Sequence, residues 1–288
     1  MSGRDTSANP FSLLADETRL GVIEVIGDHS GGGEYATLPY STVREALGEP
    51  DTGNLNYHLR KLRGRFVERT DDGYRLTVAG IRVYQAVVSE SFEGERPTVP
   101  PTETDYECEN CEEPVVVSYE DGRYFARCLE CEIRYHRYPL SPTAFDPADV
   151  DSLVRAGMSR AYVDLEQMLA GVCPYCSGRV TQTLTWEDPG INFEEWEVYV
   201  RLVCRNCGWF SQPAVETLSL HHPSTWAFFD ERGVRDQHLM IIVPGEREST
   251  VRSTDPWRID VEMRYDGDAI RHVVDGTPRV VEWEVTEA

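Results

Sequence analysis

The sequence predicts an α+β fold, and three observations carry that prediction. Capped, amphipathic helical segments followed by an Asp-Gly hairpin signal fill residues 1–95. Eight cysteines fall as four Cys-x-x-Cys pairs separated by strand-like runs. Alternating apolar and polar residues with Asp-Gly turns occupy the C-terminal end. With 288 residues and 40% apolar content, the chain suffices for about two domains with packed cores.

The first boundary is compositional. Residues 1–96 contain no cysteine and carry 11 basic against 15 acidic side chains, a net of −4, whereas residues 97–288 carry 17 against 35, a net of −18. Residues 96–105 hold three prolines, Pro97, Pro100 and Pro101, without apolar periodicity, which predicts a semi-rigid extended linker. The reading is therefore domain 1–95, linker 96–105 and domain 106–288. The last is divided into ribbons at 106–138 and 171–212, a helical insert at 139–170 and a β meander at 213–288.

Within the first domain, Asp16 caps a helix with Glu17 in its first turn and Leu20, Ile23 and Ile26 on its buried face; the run Gly31-Gly32-Gly33 ends it. A second helix fits Ser41 to Leu47, closed by Gly48, and a third fits Asp51 to Leu62, stopped by Gly64. Phe66–Thr70 and Tyr74–Thr77 then flank Asp71-Asp72-Gly73, a strong hairpin signal. This order predicts a winged helix-turn-helix. Thr77 caps a last helix whose Ile81, Tyr84 and Val88 form a stripe left free to serve as a dimer seam.

At 100° per residue, Leu55, Leu59 and Leu62 of the third helix share the core side, so Asn54, Tyr57, Arg60 and Lys61 point outward. Asn pairs with adenine and Arg or Lys with guanine through the major groove, so Asn54 and Arg60 are the expected base contacts, with Tyr57 and Lys61 beside them. From Tyr57 to Arg69 there are five basic residues and one acid, a local +4 in a strongly acidic chain. Arg69 and Arg75 on the hairpin are expected to hold phosphates of double-stranded DNA. The plain alternative is a solvated charged helix face. His58 lies at the edge of the core direction and is expected to pack rather than to bind DNA.

These residues carry a family resemblance. Leu14-Ala15-Asp16-Glu17-Thr18-Arg19-Leu20 resembles the opening of arsenic-repressor-like (ArsR-type) winged-helix regulators, and Asn56-Tyr57-His58-Leu59-Arg60-Lys61-Leu62 resembles their recognition helix. Over residues 11–90 the resemblance implies a DNA-binding transcriptional regulator acting as a homodimer. It does not extend to metal sensing, because the first domain lacks the cysteines that sensing members carry.

Cys108/Cys111 and Cys128/Cys131 are sixteen residues apart, with strands expected at Val115–Tyr119 and Arg123–Arg127 around Glu120-Asp121-Gly122. Cys173/Cys176 and Cys204/Cys207 are 27 residues apart, with strands expected at Arg179–Trp186 and Trp196–Val203. Two such turns meeting across a hairpin predict two zinc ribbons, each ion held by four cysteines. The alternatives are disulfides or redox dithiols, and four thiolates per ion leave no open position for catalysis. Between the ribbons, helices are expected at Pro147–Arg155 and Ser159–Ala170, and a short aromatic helix at Pro223–Arg232. Strands are expected at Leu239–Val243, Trp257–Tyr265, Ala269–Val274 and Arg279–Val285. His221, His222 and His238 lie near Asp230 and Glu231 but lack ligand spacing, and no phosphate loop, nucleophile elbow or dinucleotide fingerprint is present, so no enzyme is expected.

The net charge is −22, and 27 of the 28 basic residues are Arg, Lys61 being the exception. This acid-rich, lysine-poor composition resembles that of proteins from organisms holding molar salt in the cytoplasm, where the Debye length is about 3 Å; an ordinary acidic protein is the alternative. The longest apolar run, Leu239–Val243, is too short to cross a bilayer, and Met1 to Phe11 show no signal peptide, so the cytoplasm is expected. The function expected is a DNA-binding regulator whose C-terminal region assembles or senses. The rival is an adaptor docking on transcription or translation machinery.

Overall fold

The computed structural model describes residues 9–30, 35–48, 51–90, 97–108, 110–187, 197–234 and 245–287. The fold is α+β, with seven α-helices and four antiparallel sheets among the described residues. It divides into two compact units, residues 1–95 with 141–143, and residues 96–140 with 144–288.

The first unit runs α1 (Glu17–Asp28), α2 (Tyr40–Leu47), α3 (Thr52–Leu62), β1 (Val67–Arg69), β2 (Tyr74–Leu76) and α4 (Val78–Val88), after a 3-10 turn at Pro10–Leu13. Side-chain caps start three of the helices. The Asp16 carboxylate accepts from the Arg19 N–H, Asp51 from the N–H groups of Gly53 and Asn54, and the Thr77 hydroxyl from the Gly80 N–H. Gly48, at φ 61°, ends α2 in the left-handed conformation. Val22, Ile23 and Ile26 of α1, Val43 of α2 and Leu55, Leu59 and Leu62 of α3 meet Val67 and Leu76 of the hairpin in one core. Leu38 exchanges two backbone hydrogen bonds of 2.8 Å with Tyr74. Gly73 sits there at φ 144°, where a Cβ would come within 2.0 Å of the Leu38 carbonyl oxygen, so only glycine fits. The α4 stripe is partly used inside the unit: Ile81 and Tyr84 pack on this core, and the Tyr84 hydroxyl donates to Asp28 at 2.9 Å. Val88 stays exposed.

The second unit begins with a sheet ordered β3 (Val99–Glu107), β4 (Pro114–Glu120), β5 (Arg123–Arg127) and β6 (Arg134–Pro139). This corrects the linker reading, since residues 99–105 of the expected linker form most of β3. As an edge strand it needs ladder bonds on one side only, which tolerates Pro100 and Pro101, and its pairing with β4 is irregular. The expected pair of helices is the single helix α5 (Val150–Leu169). Gly157, which lies between the two expected helices, is a packing site: a Cβ there would lie 2.6 Å from the ring of buried Tyr124. Gly157→Val is expected to cost about 1–3 kcal/mol by overpacking, read as a lowered thermal midpoint; an unchanged midpoint would refute that contact.

The second sheet is β7 (Val180–Thr185), β8 (Tyr199–Cys204) and β9 (Phe210–Ser211), followed by α6 (Glu216–Leu220) and α7 (Pro223–Glu231). Trp196, expected to begin a strand, lies outside the described residues, and α6 and β9 were not anticipated. The final sheet is a meander of β10 (Glu246–Thr254), β11 (Trp257–Tyr265), β12 (Asp268–Asp275) and β13 (Val280–Thr286). Its first strand is β10, which is charged and at the sheet edge; Leu239–Val243 lies outside the described residues. Helix α5 serves two cores. Leu153, Val154 and Met158 pack on the first sheet, while Leu165 and Met168 join Val200, Leu202, Ile259 and Val261. No described helix is long and apolar enough to cross a membrane.

Candidate nucleic-acid interface and metal centres

Helix α3 sorts its side chains as an amphipathic helix must. Leu55, Leu59 and Leu62 are buried, whereas Asn54, Tyr57, Arg60 and Lys61 are exposed. The Tyr57 ring lies 5.9 Å from the Arg60 guanidinium and 5.5 Å from the Lys61 ammonium, so the three form one cation–π cluster.

His58 is buried, and it ties α3 to the start of α1. Its Nδ1 stands 3.3 Å from Asp16 Oδ1, and its Nε2 stands 3.0 Å from Asn54 Oδ1. Burial pushes the Asp16 carboxyl up, but hydrogen bonds from the Arg19 backbone and side chain and the charge of His58 outweigh it and hold the group below its ordinary value. The Asn54 carboxamide is thus engaged within the unit, and reading adenine through both of its polar atoms requires it to leave His58.

On the hairpin, Arg69 and Arg75 are both exposed. Strand register places Glu68 opposite Arg75, and Arg75 Nε donates to Glu68 Oε1 at 2.5 Å. That pair was not anticipated, because it depends on which residues face each other across the turn. An exposed pair contributes about 0.2–1 kcal/mol, little enough for a phosphate to compete with it.

The four cysteine pairs come together as two quartets. The sulfurs of Cys108, Cys111, Cys128 and Cys131 lie within 4.8 Å of one another, as do those of Cys173, Cys176, Cys204 and Cys207, and each quartet can hold one metal ion. Sulfur–sulfur distances include 3.5 Å for Cys108 to Cys131, 3.4 Å for Cys111 to Cys128, 3.7 Å for Cys173 to Cys207 and 3.5 Å for Cys176 to Cys204. A disulfide needs about 2.05 Å, so no pair is bonded. A tetrahedron with metal–sulfur bonds of about 2.3 Å has edges of about 3.8 Å, and the spacings fit that geometry.

Outer contacts favour thiolate at Cys108 and Cys176, whereas at Cys111 and Cys207 the backbone N–H groups of Glu113 and Trp209 are outweighed by burial and the neighbouring sulfurs, which push both up to about 12. Burial pushes the Cys108 thiol up, but the Tyr135 hydroxyl and the N–H groups of Asn110 and Cys111 outweigh it and bring the group down to about 7. The Asn206 amide and the Gly178 N–H bring Cys176 down to about 6.

Of the expected histidines, the described pair His221 and His222 take separate partners. His221 Nδ1 is 2.5 Å from Glu166 Oε1, and its ring stacks on Tyr162. His222 caps α7 and shares the Ser224 hydroxyl with His272, a residue the sequence did not single out. His238 lies outside the described residues.

Two family models match the chain, one over residues 105–280 and the other over residues 7–87, described as domains of unknown function DUF7351 and DUF7347. No curated protein and no solved structure matches it.

Proposed function

The chain belongs to the family described as domain of unknown function DUF7351, a description that names no activity, and on that premise we propose from its own chemistry a sequence-specific, DNA-binding transcriptional regulator. The observation that carries the proposal is the outward face of α3, where Asn54, Tyr57, Arg60 and Lys61 are exposed on a short helix anchored by three buried leucines. The order α1, α2, α3, β1, β2, α4 fits a winged helix-turn-helix of the arsenic-repressor type, with α3 as the recognition helix and the β1–β2 hairpin as the wing. Arg60 and Lys61 then face guanines, and Arg69 and Arg75 face phosphates.

Two zinc ions complete the reading. The quartets at Cys108, Cys111, Cys128 and Cys131 and at Cys173, Cys176, Cys204 and Cys207 have the ligand type and spacing that zinc prefers. Four thiolates close the coordination shell, which suits a scaffold and not a reaction centre. The second unit is accordingly an assembly or sensing module.

The protein acts as a homodimer, so its sites are palindromic, with half-sites about 34–36 Å apart. One observation favours the rival adaptor reading: Val281, Trp283 and Val285 are exposed on the edge strand β13, with Trp283 56% accessible. Selecting duplexes from a random library with the full, metal-loaded chain separates the two. Enrichment of one palindromic sequence supports the regulator. Salt-dependent retention of all sequences alike, or no retention at any ionic strength, refutes it and leaves the adaptor.

A further inference from the structure

The second unit contains a cavity of about 330 Å³, within the range of roughly 300–1,000 Å³ usual for small-molecule sites. Its walls are aromatic, with Tyr135 and Tyr138 from β6, Tyr162 from α5 and Trp226 from α7. Tyr162 is fixed on two sides. Its ring stacks on His221 at 4.6 Å and 9°, and meets the edge of Trp226 at 5.8 Å and 87°. His221 is in turn held by Glu166.

Two polar residues in this lining carry buried atoms with no hydrogen-bond partner, Oε2 of Glu216 and Nε2 of His136. Glu216 is only 4% exposed. Burial pushes its carboxyl up, and a hydrogen bond from Ser249, its own backbone N–H and the charge of Arg247 offset this only in part. Burial alone takes the His136 imidazole down to about 4, so that ring is neutral near pH 7. An acceptor left without a donor in an apolar interior destabilises the fold, and because Oε2 has almost no accessible surface, a guest in the cavity meets it once the Glu216 side chain turns toward it. Arg134 and Arg247 belong to the same lining and disfavour a cationic guest, while Glu216 disfavours an anionic one.

We propose that this cavity is a binding site for a small, flat, uncharged heteroaromatic molecule, its ring against Tyr162 and Trp226 and its N–H donated to Glu216. The site goes beyond the DNA-binding reading and is tested without DNA, so either can fail alone.

Indole is the probe, and 1-methylindole, which lacks the N–H, is its control. Calorimetry on the full, metal-loaded chain is expected to give one indole per chain, with 1-methylindole roughly tenfold weaker or more. Glu216→Met is expected to abolish that preference and to raise the thermal midpoint, since an apolar side chain of similar size replaces an unmet acceptor. Thr217→Trp on α6 and Ser159→Trp on α5, both in the lining, are expected to block indole. Ser159 is exposed and its replacement leaves the core alone. Lack of saturable binding up to the solubility limit of indole overturns the proposal. So do equal affinities for the two probes, a preference that survives Glu216→Met, or full binding by a folded Ser159→Trp chain.

Discussion

Removing metal from the full chain is expected to unfold much of the second unit. Each quartet joins two turns at the end of a hairpin, Cys108/Cys111 with Cys128/Cys131 below β4 and β5, and Cys173/Cys176 with Cys204/Cys207 below β7 and β8. Apparent binding free energies for structural zinc are about 10–16 kcal/mol, of the order of the whole stability of a domain, about 5–15 kcal/mol. Cys108, Cys128, Cys173 and Cys204 are each about 1% exposed, so the stripped state keeps four thiols in the interior with no ion to organise them. Elemental analysis is expected to return two zinc ions per chain, and a strong chelator to collapse the near-ultraviolet circular dichroism of Tyr124, Tyr199 and their neighbours. Cys176→Ser should lower the count to one and destabilise the second ribbon. A chain that loses both ions and keeps its thermal midpoint would show that the quartets are not scaffolding.

The second large effect is expected at Arg60. If its guanidinium pairs with a guanine edge, Arg60→Ala costs about 1–3 kcal/mol on the preferred sequence, a loss of roughly 5- to 150-fold, and little on unrelated DNA. Arg69→Ala should weaken all sequences alike and reduce the slope of log affinity against log salt by about one. Glu68→Gln releases Arg75 from its partner and removes a negative charge beside the duplex, so it should tighten binding to every sequence. Competition titrations of the variants against one preferred and one random duplex read all three. Equal loss of specificity from Arg60→Ala and Arg69→Ala would contradict the division between base and phosphate contacts.

Where local chemistry determines structure, the sequence was readable. Asp16, Asp51 and Thr77 are caps because short oxygen-bearing side chains satisfy the first free N–H groups of a helix, and each cap is present. The cysteine quartets were legible because a Cys-x-x-Cys turn positions two sulfurs by itself, so only the hairpin between turns had to be inferred.

What remained hidden depends on distant neighbours. Pro100 and Pro101 read as linker, and become strand because β4 offers them a sheet edge. The segments Pro147–Arg155 and Ser159–Ala170 read as two helices and form one, with Gly157 between them packed against Tyr124. Charged residues 246–254 give no inside–outside pattern of their own and take their conformation from β11. The same reason conceals parts of the candidate sites. The pairing of Arg75 with Glu68 follows from hairpin register, the bond of Asn54 to His58 from helical spacing combined with the burial of His58, and the unmet Oε2 of Glu216 from packing between α6 and β10. A composition with 50 acidic residues made one more buried glutamate indistinguishable from its solvated neighbours.

The most direct measurement is methylation protection of guanine N7 on a selected duplex, because N7 lies in the major groove where α3 is proposed to insert. The wild-type chain is predicted to protect guanines in both half-sites, and Arg60→Ala to expose one guanine per half-site while the remaining protections persist. A duplex bound with every N7 still reactive, or a protection pattern identical in wild type and Arg60→Ala, would contradict recognition through the outward face of α3.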